Sequence, residues 1–412
     1  MAQQGFQLSP GITLASTYDD DLAAPGADAL FTEVTPAVTL GYGTQRLSLL
    51  SHGALDIEAP DSAPFRTTPF LRGTADASLT ALLTDRLTFS AGGSFWDTNT
   101  PRDLNVITGY DPGSLQANSE SANAGLAYRI TDLLRSSLEA SFVSTAEGGL
   151  VTDEETARLG FHRQVSENSG WRIDLLGRRF EFVDQYAIDV EAPMADWDHR
   201  FSPELSAEVL AGPRFDRTSL EGVEGSASVL WQAEKVHVSF SLASTQTDIP
   251  GFVGLVDTES AALRLSLRPA DKLYLSATPS IYVSSGSPLD AHVLELRIDA
   301  YRQLNDWLSL IASYRLTVQS AKYPTDSAQE NSTHNQLLVG LSFQLPAPGL
   351  PIVWPTADTW TQTPVATGPE PAAWTGPLAP TSPGAATAPG APTPDDPRVE
   401  PEELRAVPEV LP

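Results

Sequence analysis

From Leu337 to Leu345, apolar side chains fall at every second position: Leu337, Val339, Leu341, Phe343 and Leu345. Leu338, Gly340, Ser342 and Gln344 fall between them. A period of two is strand geometry, because successive side chains of an extended chain point to opposite faces. The same alternation recurs over 272–285, where Leu273, Leu275, Ala277, Ile281 and Val283 oppose Tyr274, Ser276, Thr278, Ser280 and Tyr282. It recurs again over 307–319, 235–242, 86–95 and 263–268. No segment carries a convincing 3.6-residue period, so the fold class is all-β.

Tight polar turns fall near 43–45, 84–85, 131–132, 167–170, 202–204, 233–234, 269–271 and 305–306. They define eight hairpins. A strand over about 5–16 precedes the first hairpin and one over 335–345 follows the last, giving about 18 strands. The intervening connections are mostly longer, most clearly 17–29, 58–72, 98–118, 246–257 and 320–334.

Many of these strands run to about ten residues, which crosses a bilayer at a tilt, whereas sandwich strands are commonly five or six. An even count with one short and one longer set of connections is the pattern of bacterial outer-membrane barrels. One face is nearly free of charge in mid-strand, as lipid contact requires. The other carries Arg264, Arg268, Glu295, Arg297, Asp299 and Arg315, which a water-filled lumen accommodates. The expectation is a closed antiparallel transmembrane up-and-down β-barrel over 1–345, integral to the outer membrane, with both termini periplasmic. Open edges in hydrocarbon leave backbone groups unpaired at high cost, so 335–345 is expected to pair with the first strand.

Arg163 and Arg179 break the parity and are expected near strand ends. Tyr42, Tyr128, Trp171, Trp231, Tyr301 and Trp307 lie close to tight turns, and Phe95, Phe142, Phe182 and Tyr282 toward the longer loops. They read as two interfacial girdles.

Pro346 ends the pattern. Residues 346–412 hold 17 of the 33 prolines and close on an acidic piece. This Pro/Ala/Thr-rich tail is expected to be extended or disordered and periplasmic. The start, Met-Ala-Gln-Gln-Gly, has no basic or apolar leader and reads as a mature start with a Met added.

Composition narrows the function. The chain is 41% hydrophobic and 19% charged, values shared by soluble proteins and barrels alike. No apolar run reaches the length of a transmembrane helix. There is no cysteine, so disulfides, thiol catalysis and cysteine zinc sites are excluded. A net charge of −27 excludes nucleic acid as a partner and suits solvated loops and lumen.

Six dispersed histidines, His52, His162, His199, His237, His292 and His334, form no catalytic or metal-binding spacing. No catalytic residue, cofactor or metal site is expected, and the chain is not read as an enzyme. The acidic runs 19–21 and 153–155 read as solvated loop or strand-end charge without calcium-loop spacing. The candidate lumen lining is Arg264, Arg268, Tyr274, Tyr282, Glu295, Arg297, Asp299, Tyr301 and Arg315, a mixed ladder able to contact sugar hydroxyls or uronates.

Two resemblances add to this. Gly340, Phe343 and Leu345 have the spacing of the terminal β-signal of outer-membrane proteins, although Leu338 departs from it and 67 residues follow. The resemblance implies recognition by the barrel assembly machinery. Leu8–Leu14 with Thr17–Asp21, and Arg200–Ser206, resemble bacterial outer-membrane barrels of the porin type found beside exopolysaccharide gene clusters. That implies an outer-membrane component of polysaccharide export, with the tail reaching a periplasmic export protein. The alternatives are a general diffusion porin, with an inward-folded constriction loop and ion conductance, or a structural or adhesion barrel acting through its loops or tail.

Overall fold

The chain folds as a closed barrel in a computed structural model that describes residues 5–20, 29–60, 70–98, 105, 107–111, 116–183, 185–216, 219–323 and 329–345. The first six strands are β1 (Gly5–Asp19), β2 (Ala29–Gly43), β3 (Leu47–Pro60), β4 (Phe70–Leu82), β5 (Leu87–Thr98) and β6 (Ala117–Arg129). The next six are β7 (Leu134–Glu147), β8 (Leu150–Ser166), β9 (Ser169–Phe182), β10 (Tyr186–Arg200), β11 (Leu205–Asp216) and β12 (Ser219–Gln232). The last six are β13 (Val236–Asp248), β14 (Leu255–Ala270), β15 (Leu273–Gly286), β16 (Asp290–Gln303), β17 (Leu308–Lys322) and β18 (Gln329–Gln344).

Each strand pairs antiparallel with the next, and β18 closes on β1 from Gly11↔Gln344 to Asp19↔Gln336. No helix occurs among the described residues. All eight tight turns lie on one rim, and both ends of the barrel wall open on that same rim. The tail, 346–412, lies outside the described residues.

The strands outrun the apolar pattern. β1 reaches Asp19 and β18 begins at Gln329, whereas the alternation predicts ends at 16 and 335. The added rungs are polar on both faces, such as Ser320↔Asn331 and Gln319↔Ser332. A backbone ladder continues there although hydrophobic periodicity has stopped.

Outward positions form an apolar belt rising from the tight-turn rim, for example Leu134, Leu138 and Phe142 on β7 and Trp171, Ile173 and Leu175 on β9. Belt segments of about ten residues match a tilted crossing. Outward charges sit near the rims. Arg163 stands three residues from the end of β8, and Arg179 lies near the long-loop end of β9, close to Glu181 and Asp189.

The girdle at the tight turns is present: Tyr42, Tyr128, Trp171, Trp231 and Trp307 are exposed outward, joined by Trp197 and Phe201. Three expected members point inward instead. Tyr301 and Phe182 are buried in the interior and Tyr282 packs beneath a loop. Their positions along the strand suggested a girdle, but strand parity puts them inside.

Candidate functional site: a constricted lumen

The described part of the β5–β6 connection, residues 105 and 107–111, lies against the inner wall. Of its described residues, Asn105, Thr108 and Tyr110 are 3%, 0% and 2% exposed. It leaves the wall at β5 and docks on β15, β17 and β18; β15 stands eight strands from β5 in a ring of eighteen.

The docking is specific. The Tyr110 hydroxyl lies 2.6 Å from the Tyr323 hydroxyl. The Asp111 N–H donates to Gln319 Oε1 at 3.0 Å, and the Asp111 carbonyl accepts from Gln319 Nε2 at 2.7 Å. The Asp111 carboxylate lies 3.4 Å from His334 Nδ1. Gly109 has φ +62°, and a Cβ there would meet the Tyr282 ring at 2.6 Å. Only glycine combines that backbone with so close an approach. Within the loop, Asn105 Nδ2 donates to the Tyr110 carbonyl at 3.0 Å.

A second loop, 249–254 between β13 and β14, turns in to meet the first. Phe252 packs edge-on against Tyr110 at 6.1 Å and stacks with Tyr323 at 6.0 Å. Tyr110, Ile249, Val256, Leu289, Ala291 and Val293 form a buried apolar cluster there. Gly251, at φ +79°, lies against Glu147 at the end of β7, six strands from β13. The two loops together narrow the long-loop end of the lumen.

Two groups at this plug have shifted acidities. Burial pushes the Tyr110 hydroxyl up, helped by Tyr323. Glu147 is 2% exposed and neither of its oxygens has a hydrogen-bond partner. Burial, then the nearby Asp111 charge, pushes it up to about 8.

The structure places all nine candidate lining residues on the inner face, but not as one site. Arg297 Nε lies 3.2 Å from Asp299, which also accepts from Ser313 Oγ at 2.7 Å. Arg315 pairs with Glu295 at 3.1 Å. Nearer the tight turns, Arg268 sits over Tyr274, Tyr274 packs on Tyr301, and the Tyr301 hydroxyl lies 2.6 Å from Ser309 Oγ. Arg264 lies on β14, opposite Ser239 of β13. Tyr282 belongs to the loop dock rather than to the ladder.

Other inward charges pair on the remaining strands. Arg72 on β4 lies 3.3 Å from Asp56 and 3.8 Å from Glu33, all deeply buried. Arg158, Asp174, Arg172 and Asp196 form a chain of ion pairs along β8–β10. Arg178 pairs at 2.8 Å with Glu224 on β12, and Arg214 pairs with Glu224 and Asp257. Strand parity signals each of these except Asp257 as inward, but not its partner; Asp257 shares the parity of outward Leu263.

Asp19 overturns an expectation. It is fully buried and lies 2.7 Å from His334 Nε2, not in a solvated loop. The polar extension of β1 carries it into the lumen wall.

The assembly-signal residues have local packing roles. A Cβ on Gly340 would lie 2.6 Å from the Leu14 carbonyl oxygen. Phe343 stacks on Trp307 at 5.9 Å. The Leu345 N–H donates to the Pro10 carbonyl at 3.0 Å.

No family model matches the chain, and no curated protein sequence matches it. Solved barrels share its general shape. OccAB4 of Acinetobacter baumannii is 9% identical, with a TM-score of 0.45, over 83% of this chain and 99% of that one. OccK2 (OpdF) of Pseudomonas aeruginosa is 11% identical, with a TM-score of 0.47, over 83% and 99%. The siderophore receptor PirA of Pseudomonas aeruginosa is 9% identical, with a TM-score of 0.43, over 84% and 81%. At this level of likeness neither a family nor an activity passes from those proteins to this chain.

Proposed function

We propose that the chain is an outer-membrane diffusion channel for small hydrophilic solutes, narrowed by the β5–β6 loop. The observation that carries this reading is that loop's docking on the opposite inner wall through Tyr110, Asp111 and Gly109. A barrel of this size leaves an aqueous lumen unless something fills it. Here an inward loop, held by few hydrogen bonds, sets the aperture. The charge-depleted outer belt supports integral membrane insertion, and the shared rim of both barrel ends supports a periplasmic side for the tight turns.

Polysaccharide export needs a lumen that a polymer can thread. The Tyr110–Phe252 contact and the Asp111–Gln319 pair oppose threading, so the diffusion reading takes precedence. Recognition of Gly340, Phe343 and Leu345 by the barrel assembly machinery, and of the tail by a periplasmic partner, belongs to the same proposal. A chain truncated after Leu345 tests both: outer-membrane levels report assembly, and co-purified periplasmic protein reports the tail.

The decisive experiment is reconstitution of the full chain in planar lipid bilayers. Discrete conductance steps are expected, with small sugars entering proteoliposomes and long dextrans excluded. A bilayer that stays silent, or recovery of the protein from cells in the soluble fraction, overturns the reading.

A further inference from the structure

Where β1, β18 and the inward loop meet, four ligand-bearing side chains converge: Asp19, Asp20, His334 and Asp111. Ligand atoms of Asp19, Asp20 and His334 all lie within 4.8 Å of one another. His334 Nε2 and Asp19 Oδ1 are 2.7 Å apart, a hydrogen-bond separation that must widen by less than about 1 Å for both atoms to ligate one small divalent ion.

The surroundings are ordered as a metal's outer shell is. A ligating histidine commonly donates its other ring N–H to a carboxylate, which fixes the ring and its tautomer. His334 Nδ1 faces the Asp111 carboxylate at 3.4 Å. Gln336 Nε2 donates to Asp19 Oδ2 at 3.3 Å, which orients Asp19 and leaves Oδ1 toward the imidazole. Asp20 is clamped by the Asn335 N–H and Nδ2, each at 2.6 Å, with lone pairs to spare on both oxygens.

A separate observation points to a polar ligand at this place. Thr317 stands directly across the ladder from His334 on the inner face, and Thr17 lies two residues before Asp19 on the same face. Both hydroxyls are buried, at 1% and 0% residue exposure, and neither has a hydrogen-bond partner. Opposed side chains on one sheet face lie about 5 Å apart at Cβ, which sets the Thr317 side chain next to that of His334. Water bound to an ion would give such hydroxyls partners.

We infer that Asp19, Asp20 and His334 form a site for a divalent transition cation of the Mn²⁺ or Zn²⁺ class. One imidazole with two carboxylates suits these ions better than the all-oxygen shell preferred by Ca²⁺. Asp111 supports the site from the inward loop, so occupancy ties that loop to the β1–β18 seam.

The test uses the full chain refolded in detergent, dialysed against Mn²⁺ or Zn²⁺ and assayed for bound metal by mass spectrometry. About one equivalent is expected, with His334→Gln and Asp20→Asn each weakening binding at least tenfold. Asp20 lies at a strand end, so its variant retains the barrel, and a heat-modifiable gel band checks folding of both. Equal metal content in the wild type and in folded His334→Gln, or none in either, overturns the proposal. In that case His334 serves as an imidazolium between two carboxylates. Metal binding without any bilayer conductance sinks the channel reading and leaves the site standing.

Discussion

Tyr110 and Tyr323 meet hydroxyl to hydroxyl at 2.6 Å, joining a loop that starts at β5 to the far end of β17. Their separation in sequence is 213 residues. The contact holds the described part of that loop against the far wall.

Tyr110→Phe removes one buried hydroxyl and keeps the ring on Phe252. A hydrogen bond of this kind contributes about 0.5–1.5 kcal/mol net. The undocked state should therefore gain about two- to tenfold in population, read as more frequent or longer openings in single-channel records. Tyr323 keeps a second acceptor, Glu330 at 3.4 Å, which limits the loss. An unchanged record would mean the loop does not set conductance.

Gly109→Ala should act more strongly. The left-handed backbone costs a non-glycine residue about 1–2 kcal/mol, and the new methyl also strikes the Tyr282 ring. Loop undocking and a larger steady conductance are expected, with the wall intact by circular dichroism. Paired Gly109→Ala with Tyr282→Ala should recover part of the docking, because the ring clash is gone while the backbone cost stays.

The seam carries a third prediction. Gly340 lies where a Cβ would meet Leu14 O at 2.6 Å and Ala15 Cβ at 2.8 Å, mostly backbone that cannot yield locally. Gly340→Val should lower the yield of closed barrel on refolding in detergent, where no assembly machinery is present. Gly177→Ala, with open space around it, is the control and should refold like the wild type. If Gly340→Val refolds fully in detergent but fails to assemble in cells, the glycine serves recognition and not closure.

How much of this could be read from the chain depends on the kind of constraint. Leu337, Val339 and Leu341 declare the wall because lipid exposure forces a strict period of two. The turn at 305–306 was legible because Asn305 and Asp306 interrupt that period. His334 and Asp19 were not legible as a pair, since the alternation fades before both and 315 residues separate them. Tyr110 gave no signal either. Its burial comes from a loop crossing to a distant strand, and no local pattern encodes which wall a loop will reach. Arg72 with Asp56 and Glu33 shows the middle case, where parity gives the face and only the register gives the partner.

That cluster yields a fourth prediction. Arg72 is the cation among Asp56 and Glu33, with Glu58 beside them in the wall, and each is under a tenth exposed. Removing one partner of a buried pair commonly costs about 3–5 kcal/mol, because the other charge is left uncompensated. Arg72→Met should lower the thermal stability of the detergent-refolded barrel by that order at pH 8. Arg72→Lys keeps a cation there and should recover part of the loss, whereas equal deficits in the two variants would assign it to packing.

The last prediction concerns pH and the plug. Glu147 ends β7, five residues beyond the last belt residue, Phe142, and lies beneath Gly251. Burial and the Asp111 charge raise its pKa from 4.5 to about 8. A carboxyl raised in the docked state holds its proton there at pH values where the undocked, solvated carboxyl has lost it. The docked arrangement therefore binds more protons, and its stability falls as pH rises through the window from about 4.5 to 8. The slope is at most about 1.4 kcal/mol per pH unit for one group. Outside that window Glu147 contributes no slope. Hydrogen exchange of the 249–254 amides, corrected for the intrinsic pH dependence, should show protection falling from pH 5 to pH 8. Glu147→Gln keeps the shape, stays neutral and should flatten the profile. If the wild type and Glu147→Gln lose protection in parallel, another group governs the loop, and Asp111 is the next to replace.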